Sequence, residues 1–568
     1  MAVLARLLSR PRRHVAQWGE RHPRAALAGR VGLTAGAAAL VFLACVLPNA
    51  LEDMRPAAFV RIPAELVVAA ALLLALPRRA RSWAAGAIGA GLGTVTVVNL
   101  LDLGFREYLG RGFNPVLDWG LLDDAQSYMV DTMGRTTTWI ATVAVVVGAV
   151  ALVAGTGAAA VRLSRLLGRH QGAVTRGTLI TATVWICCAT LGVQLAGVPV
   201  AADRARDVVE AKARMVRWTL KDEAAFAKEA GKDPYGATPP GQLVPDLRGK
   251  DVVFAFIESY GRTAIEDPVT APGVTGTLTD RNKALEAAGF RAKSGWLTSA
   301  TFGGSSWLGH STFLSGLWID NQQRYRTVTA GDRLTLTKVF QKTGAWDTVG
   351  VMPGVQKGWP EQRFFGLDTV YDAFDLGYEG PKFSWSTMPD QYALQAFERL
   401  EHGRRGDGER PLMSEIILTS SHQPWAPLPE MVDWDDLGDG SLYDPIEAKG
   451  HRPSEIVSNG TRSKEEYGKS VAYSVRSLTE WLERYGTEDT VLVFLGDHQP
   501  LAKVTGPRAS RDVPVSIVAK DPAVLAKISD WRWTDGLQPG GTTPVWKMSA
   551  FRDRFLRAYG SVPTPSGA

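Results

Sequence analysis

Residues that could bind a metal ion or move a proton follow three short apolar segments of this 568-residue chain. Glu258 follows the segment DVVFAFI, Asp497 and His498 follow TVLVFLG, and His422 lies just after SEIILT. Carboxylates and imidazoles are common metal ligands and common general acids and bases. Each of these residues alone is more often structural, so the chemistry depends on whether the fold brings the segment ends together.

A hydroxyl-rich and glycine-rich segment could supply a nucleophile. Residues 294–316 read SGWLTSATFGGSSWLGHSTFLSG, and the turn at 303–306 is predicted to lie at the N-terminus of a helix. Backbone N–H groups at such a position suit a phosphate or sulfate oxyanion. A metal ion bound to the serine oxygen would favour the alkoxide, which serine does not form unaided at neutral pH. The alternative is an ordinary Ser/Gly-rich loop with a helix N-cap.

The elements around these residues predict an α/β domain. From residue 251 onward, apolar runs typical of buried strands alternate with segments of helical spacing, which favours a largely parallel sheet. In such sheets ligands bind beyond the carboxyl ends of the strands, where the candidate residues lie. The predicted strands are 251–257, 347–352, 414–419, 490–496 and 513–519, and the predicted helices include 334–344, 390–402 and 464–486.

The N-terminal part has a different pattern, which predicts an α-helical membrane domain. A bilayer core is crossed by a helix of roughly 20 mostly apolar residues. Buried core helices, or a cleaved signal peptide at 31–49, fit less well because several apolar segments follow one another and a long basic stretch precedes the first. The five predicted spans are 31–49, 62–77, 83–101, 137–161 and 177–200, of which 62–77 is the weakest.

The arginines orient the predicted spans. Residues 1–201 contain 19 Arg, no Lys and 10 acidic residues, a net charge of +9, whereas the remainder has a net charge of −4. With the N-terminus in the cytoplasm, fourteen arginines lie on the cytoplasmic side and five on the other, in keeping with the positive-inside rule. An odd number of spans then places the rest outside the cell. The overall charge of +5 therefore reflects topology and does not predict nucleic-acid binding.

Domain boundaries follow from composition. The predicted membrane domain is 1–201, the connector 202–248 is a helix followed by a Pro/Gly-rich linker, and the exported domain is 249–568. All three cysteines fall in predicted spans, so the exported domain is expected to be stabilised without disulfides. The loop 102–136 is rich in aromatic and acidic residues, and it is either an interfacial segment under the exported domain or an ordinary outer loop.

In their order along the chain, these features resemble the lipoteichoic acid synthase-like branch of the sulfatase/alkaline phosphatase superfamily. After the N-terminal spans come IES, GGSS, SHQPW and LGDH. The resemblance implies that one divalent metal ion, manganese or else zinc or magnesium, is held by a set of four residues. These are Glu258, Ser305, Asp497 and His498.

The resemblance also implies roles in catalysis and substrate binding. Ser305 would be the nucleophile, because it follows Gly304 where the family has G-K-T, with Ser306 and Thr301 as alternatives. His422 would bind the phosphate or act as an acid or base. The substrate-binding residues would be Trp359 and Arg363.

Departures from the family pattern concern the substrate pocket. Met352 and Pro353 lie in the region where the family usually has a histidine. Three residues separate Trp359 from Arg363, a longer spacing than the family has between its tryptophan and arginine. The C/S-x-P-x-R signature of formylglycine sulfatases is absent, because Ser306, Trp307 and Leu308 follow Ser305. Lipid A phosphoethanolamine transferases usually carry several disulfides in the exported domain, whereas the exported domain of this chain has no cysteine.

The expected function is therefore a membrane-bound transferase with an extracellular catalytic domain. By the resemblance, it would move phosphoglycerol from phosphatidylglycerol to a cell-envelope glycan or glycolipid through a phosphoserine. The alternatives are a phosphodiesterase, a sulfuric ester hydrolase, a phosphoethanolamine transferase, or a membrane protein that only binds envelope polymer. The partners expected are lipid donor and envelope acceptor, and no nucleic acid.

Overall fold

The computed structural model describes residues 20–356, 358–383, 385–406, 408–506 and 509–564. Most of the basic stretch that precedes the first predicted span lies outside these ranges. The chain divides into two compact units. Within the described residues, the first unit comprises 20–105, Gly112–Asn114 and Trp139–Val216, and the second comprises Arg106–Arg111, Pro115–Thr138 and 217–564.

Helices make up most of the first unit, and among the described residues four helices that lie wholly or mostly in it are long and apolar enough to cross a membrane. The helix in the second predicted span has 12 residues, about 18 Å at 1.5 Å per residue, which is shorter than a bilayer core of about 30 Å. Membrane-spanning character is thus supported for four of the five predicted segments. The helices are α1 (Pro23–Val46), α2 (Ala64–Ala75), α3 (Arg78–Leu109), α4 (Gly120–Met133), α5 (Arg135–Arg169), α6 (Gln171–Thr190) and α7 (Arg204–Ala230), of which α4 belongs to the second unit.

The second unit is built around a nine-stranded sheet. In chain order the strands are β1 (Asp251–Ile257), β2 (Arg291–Thr298), β3 (Asp347–Val351), β4 (Thr369–Tyr371), β5 (Leu412–Leu418), β6 (Thr490–Gly496), β7 (Asp512–Ala519), β8 (Thr534–Asp535) and β9 (Val545–Lys547). Their order in the sheet is β8-β2-β7-β6-β1-β5-β3-β4, with β9 beside β2. The run from β6 to β4 is parallel, whereas β7 pairs antiparallel with both β6 and β2.

Both faces of the central strands are buried, which explains their continuous apolar sequences. In β1, Val252, Phe254 and Phe256 belong to one hydrophobic core, and the alternating Val253 and Ala255 belong to another. Side chains of successive strand residues point to opposite faces, so a strand between two cores needs apolar residues at every position.

Helices supply the apolar groups that cover these faces. The longest is α17 (Gly460–Tyr485), which follows Asn459. The Asn459 side chain accepts hydrogen bonds from the backbone N–H groups of Thr461 and Arg462 and so caps the helix. Besides α4, the helices of this unit that follow α7 in the chain are α8 (Arg262–Glu266), α9 (Ala271–Ala287), α10 (Ser306–Ser315), α11 (Gln322–Thr329), α12 (Leu336–Thr343), α13 (Gln362–Phe365), α14 (Asp390–Leu400), α15 (Asp444–Lys449), α16 (Pro453–Val457), α17 (Gly460–Tyr485), α18 (Ala502–Thr505), α19 (Pro522–Ala526) and α20 (Phe551–Ala558).

The predicted fold class is confirmed: apolar N-terminal helices precede an α/β domain whose central sheet is mostly parallel. All five predicted strands are present within two residues of their predicted ends. Strand β2 was missed because its sequence, RAKSGWLT, mixes charged and small residues. Its Gly295 lies against the ring of Trp533, where a Cβ would collide with the indole.

Candidate functional site

Two neighbouring strands bring three of the predicted metal ligands to one edge of the sheet, and a third strand brings His422 there. Strand β1 pairs in parallel with β6 on one side and β5 on the other, so their carboxyl ends lie next to each other. Ligand atoms of Glu258, Asp497 and His498 lie within 4.8 Å of one another, and all three residues are buried. His498 Nε2 is 3.4 Å from Glu258 Oε1 and 3.9 Å from Asp497 Oδ2.

Hydrogen bonds fix which atoms face this cluster. Asp497 Oδ1 accepts hydrogen bonds of 2.7 Å from the backbone N–H groups of Ser259 and His498. Asp497 Oδ2 has no hydrogen-bond partner among the described residues. His498 Nδ1 is 2.7 Å from the Gln499 carbonyl oxygen, which accepts a hydrogen bond from an Nδ1–H, so Nε2 carries the lone pair on the cluster side.

The charges in the cluster support one another. Burial raises the pKa of Asp497, but the adjacent His498 and His310 outweigh it and hold that pKa well below its usual range. Burial lowers the pKa of His498, but the charges of Asp497 and Glu258 outweigh it and leave the pKa raised. The Asp497 carboxylate is therefore ionised at neutral pH, as a metal ligand must be.

The hydroxyl that contacts the cluster belongs to Ser306. Ser306 Oγ donates a 2.7 Å hydrogen bond to Glu258 Oε2 and lies 3.1 Å from His498 Nε2. Ser305, ranked first from the sequence, has left-handed backbone angles (φ +64°) as the N-cap of α10 and lines a neighbouring pocket together with Thr301. Of the three candidate hydroxyls, the structure therefore brings Ser306 to the predicted ligands.

His310 is a further cluster residue that the sequence analysis missed. It lies four residues after Ser306 on α10, and its Nε2 is 3.5 Å from Asp497 Oδ2. Its side chain is buried against the ring of Phe256, with 4.3 Å between ring centroids, and Nε2 has no hydrogen-bond partner among the described residues. The sequence indicated this position, because His310 lies four residues after Ser306 and residues four apart share one face of a helix.

His422 lies at the same edge of the sheet, after β5. Its Nδ1 is 2.6 Å from the Gln423 carbonyl oxygen, and its ring stacks on Trp385 with 3.8 Å between centroids. The loop is tied to the first strand because Ser421 Oγ donates a 2.6 Å hydrogen bond to the Glu258 carbonyl oxygen. Trp385, which the sequence analysis also missed, fixes the plane of the His422 ring.

The predicted substrate residues lie outside the cluster. Trp359 is half-buried and stacks on Phe365 at 5.1 Å, and Arg363 is exposed on the short helix α13. Within the described ranges, no hydrogen bond or ion pair links Trp359 or Arg363 to Glu258, Asp497 or His498. The segment at Gly354, near the place where the family has a histidine, packs instead against the Trp385 ring.

The residues at this edge fit a divalent metal ion. Carboxylate oxygens of Glu258 and Asp497, the hydroxyl of Ser306 and Nε2 of His498 provide three oxygen donors and one nitrogen donor. The buried Asp497 Oδ2 without a hydrogen-bond partner would otherwise be a costly unsatisfied charge. The donor set is compatible with manganese, zinc or magnesium and does not choose between them.

Comparisons with known proteins find similarity only among solved structures. No family model and no curated protein matches the chain. The lipoteichoic acid synthase LtaP from Listeria monocytogenes is 14% identical over 60% of this chain and 82% of its own, with a TM-score of 0.34. The Streptococcus pyogenes phosphoglycerol transferase GacH, solved with sn-glycerol-1-phosphate, is 13% identical over 61% and 81%, with a TM-score of 0.36.

A third structure, the zinc complex of the periplasmic domain of EcEptC from Escherichia coli, is 10% identical over 56% of this chain and 88% of its own, with a TM-score of 0.35. The identities and TM-scores are low. The geometry of the site, and not these similarities, therefore carries the functional conclusion.

Proposed function

We propose that this protein is a metal-dependent phosphotransferase in which Ser306 forms a covalent phosphoserine. The observation that carries the proposal is the position of Ser306 Oγ, 2.7 Å from Glu258 Oε2 and 3.1 Å from His498 Nε2. A serine hydroxyl held among metal ligands is the arrangement expected of an activated nucleophile. A hydroxyl with only a structural role has no need of two ionisable partners.

The metal ion would be held by Glu258, Asp497, His498 and Ser306. When bound, a divalent ion supplies Lewis-acid chemistry, which lowers the pKa of a hydroxyl and polarises a phosphoryl oxygen. Ser306 is also the first residue of α10, a ten-residue helix. Backbone N–H groups of its first turn and the helix dipole favour the negative charge of a phosphoryl group there.

In the first step, the Ser306 oxygen attacks phosphorus of the lipid phosphodiester after its proton passes to solvent. The bond from Ser306 Oγ to phosphorus forms as the bond from phosphorus to the diacylglycerol oxygen breaks. His422 is proposed as the acid that protonates this leaving oxygen. Because the Gln423 carbonyl engages Nδ1, the mobile proton of His422 is on Nε2.

In the second step, an acceptor hydroxyl gives its proton to His422 Nε2 and its oxygen attacks the same phosphorus. The bond from phosphorus to Ser306 Oγ breaks, and Ser306 regains a proton from solvent. Water in place of the acceptor would make the same site a phosphodiesterase.

The substrates are proposed from the membrane helices and the motif resemblance. The donor would be a phospholipid such as phosphatidylglycerol, and the acceptor a cell-envelope glycan or glycolipid, with the second unit outside the cell. Trp359 and Arg363 remain proposed contacts of the transferred headgroup, for which the planar guanidinium of Arg363 offers several N–H donors. Arg363 is exposed, so its donors are accessible to a ligand.

The test is a substrate panel with the full-length protein in lipid vesicles. Labelled phosphatidylglycerol, phosphatidylethanolamine and an aryl sulfate are each supplied with and without Mn²⁺. We expect metal-dependent release of diacylglycerol from phosphatidylglycerol, abolished in Glu258→Ala and retained in the matched control Glu430→Ala, which removes an exposed carboxylate. Cleavage of the aryl sulfate alone, or equal activity in Glu258→Ala, would refute the proposal.

A further inference from the structure

A second pocket lies beside α10 within the second unit. It has a volume of about 100 Å³, and its lining includes Arg111, Asp118, Ser305, Trp307, Asp320 and Arg511. A buried water needs a cavity volume of roughly 10–15 Å³, so the pocket has room for several waters or a small organic group. The neighbouring backbone is closely packed, because a Cβ at Gly303 (φ +71°) would collide with the Tyr108 carbonyl.

Hydroxyl groups without a role in the metal cluster line this pocket. Thr301 is only 6% exposed, and its Oγ1 has no hydrogen-bond partner among the described residues. Ser305 also lines the pocket and directly precedes the proposed nucleophile Ser306. Because Ser305 and Trp307, on either side of Ser306 in the chain, both line the pocket, a molecule bound here lies beside the backbone of the residue that carries the phosphoryl group in the proposed reaction.

The charges that line the pocket are balanced. Arg111 donates two hydrogen bonds of 2.6 and 2.8 Å to the carboxylate of Asp118. Arg511 donates a 3.0 Å hydrogen bond to the Ala300 carbonyl oxygen. Burial lowers the pKa of Arg511, the Asp320 carboxylate opposes this shift, and the Arg111 guanidinium adds to it. A phosphate dianion would meet two carboxylates here, whereas a neutral polyol can donate to the carboxylates and accept from the guanidinium groups.

An aromatic ring completes the lining. Trp307 is 36% exposed, and its Nε1 donates a 3.0 Å hydrogen bond to Gln322 Oε1, which fixes the ring orientation. A fixed indole face beside a few convergent polar groups suits the mixed polar and C–H surface of a sugar or polyol.

We propose that this pocket binds the acceptor of the transfer reaction as a neutral, hydroxyl-bearing compound, a sugar or a polyol. That the bound compound is the acceptor rests on the proposed function. That the pocket binds a sugar or polyol does not depend on the proposed function. It also assigns five residues of the loop at 102–136 to the substrate site, namely Leu109, Arg111, Leu117, Asp118 and Leu121. The acceptor oxygen then attacks the phosphorus on Ser306 in the second step described above.

Binding is tested first, without turnover. Ligand-observed NMR with the full-length protein in a detergent without sugar headgroups measures the Kd of methyl N-acetyl-β-glucosaminide and of glycerol. We expect Trp307→Ala and Asp320→Asn to raise the Kd at least tenfold. The matched controls Trp218→Ala and Asp535→Asn, at exposed positions, should leave it unchanged. Three results would overturn the proposal: displacement of the bound probe by an equal concentration of inorganic phosphate, no binding of either probe, or unchanged binding in Trp307→Ala.

Transfer is tested second. In Trp307→Ala, the acceptor concentration for half-maximal transfer should rise at least tenfold, while phosphoserine formation without acceptor keeps its wild-type rate. If Trp307→Ala slows phosphoserine formation as much as it impairs transfer to the acceptor, Trp307 acts in the donor step, and this result would contradict an acceptor pocket. If the wild-type protein forms no phosphoserine, the proposed function fails, but the binding result still decides whether the pocket takes a sugar or polyol.

Discussion

Replacing Ser306 by alanine removes the one candidate hydroxyl that contacts the predicted metal ligands. We expect kcat/KM for the lipid donor to fall by at least about 10⁴, because the covalent step is lost; this equals about 5.5 kcal/mol of transition-state stabilisation. Ser305→Ala removes an identical hydroxyl one residue away that lines the second pocket, and it should cost less than about tenfold in phosphoserine formation. The two variants lose the same chemical group, so a difference in their activity shows which of the two serines is the nucleophile.

The assay follows diacylglycerol release from phosphatidylglycerol by both purified variants at saturating Mn²⁺. Ser306→Ala also removes a hydrogen bond to the charged Glu258, worth about 1.5–3 kcal/mol, so thermal unfolding and metal content are measured in parallel. If Ser305→Ala loses more activity than Ser306→Ala while both variants stay folded, the assignment of Ser306 as the nucleophile is wrong.

Three other substitutions have defined outcomes. Burial raises the pKa of Glu415 to about 8, so its contribution to stability is complete below its ordinary pKa and is lost, by up to about 5 kcal/mol, as the pH rises through 8. Glu415→Gln should flatten the fall of Tm between about pH 5 and 9, and parallel curves for both proteins would contradict this. His310→Phe should weaken Mn²⁺ binding by about 10–100-fold in a calorimetric titration, because it removes the group facing Asp497 Oδ2; an unchanged affinity would exclude that role. Trp385→Leu should lower kcat about tenfold at unchanged Mn²⁺ affinity, because the His422 ring loses its stacking partner; an equal loss of Mn²⁺ affinity would contradict this.

The strand ends could be predicted from sequence because their physical cause is local. A run such as TVLVFLG is apolar at nearly every position only when both faces of the strand are buried. Although β7 is antiparallel to β6, most such strands in an α/β sheet run parallel. Their carboxyl ends then lie at one edge, which is why Glu258, Asp497 and His498 could be grouped by their positions along the chain. The pairing order of the strands, which makes β6 and β5 the neighbours of β1, was not available from the sequence.

The choice among the hydroxyls could not be made in the same way. Ser305 and Ser306 are adjacent and identical, and only the left-handed angles of Ser305 decide which side chain faces the cluster. Gly303 and Gly304 make such a turn possible, but their presence does not fix its direction. Trp385 lies in a loop without periodicity, so its stacking on His422 depends on tertiary packing that no local pattern encodes.

The most direct test of the central claim is peptide mass spectrometry of the full-length protein after incubation with phosphatidylglycerol. Without an acceptor, the covalent species should accumulate. We predict a phosphoglycerol adduct on Ser306 that appears with Mn²⁺, is absent with a chelator, and is absent in Glu258→Ala. Turnover of phosphatidylglycerol with Ser306 unmodified under these conditions, or an adduct on another residue, would contradict the account.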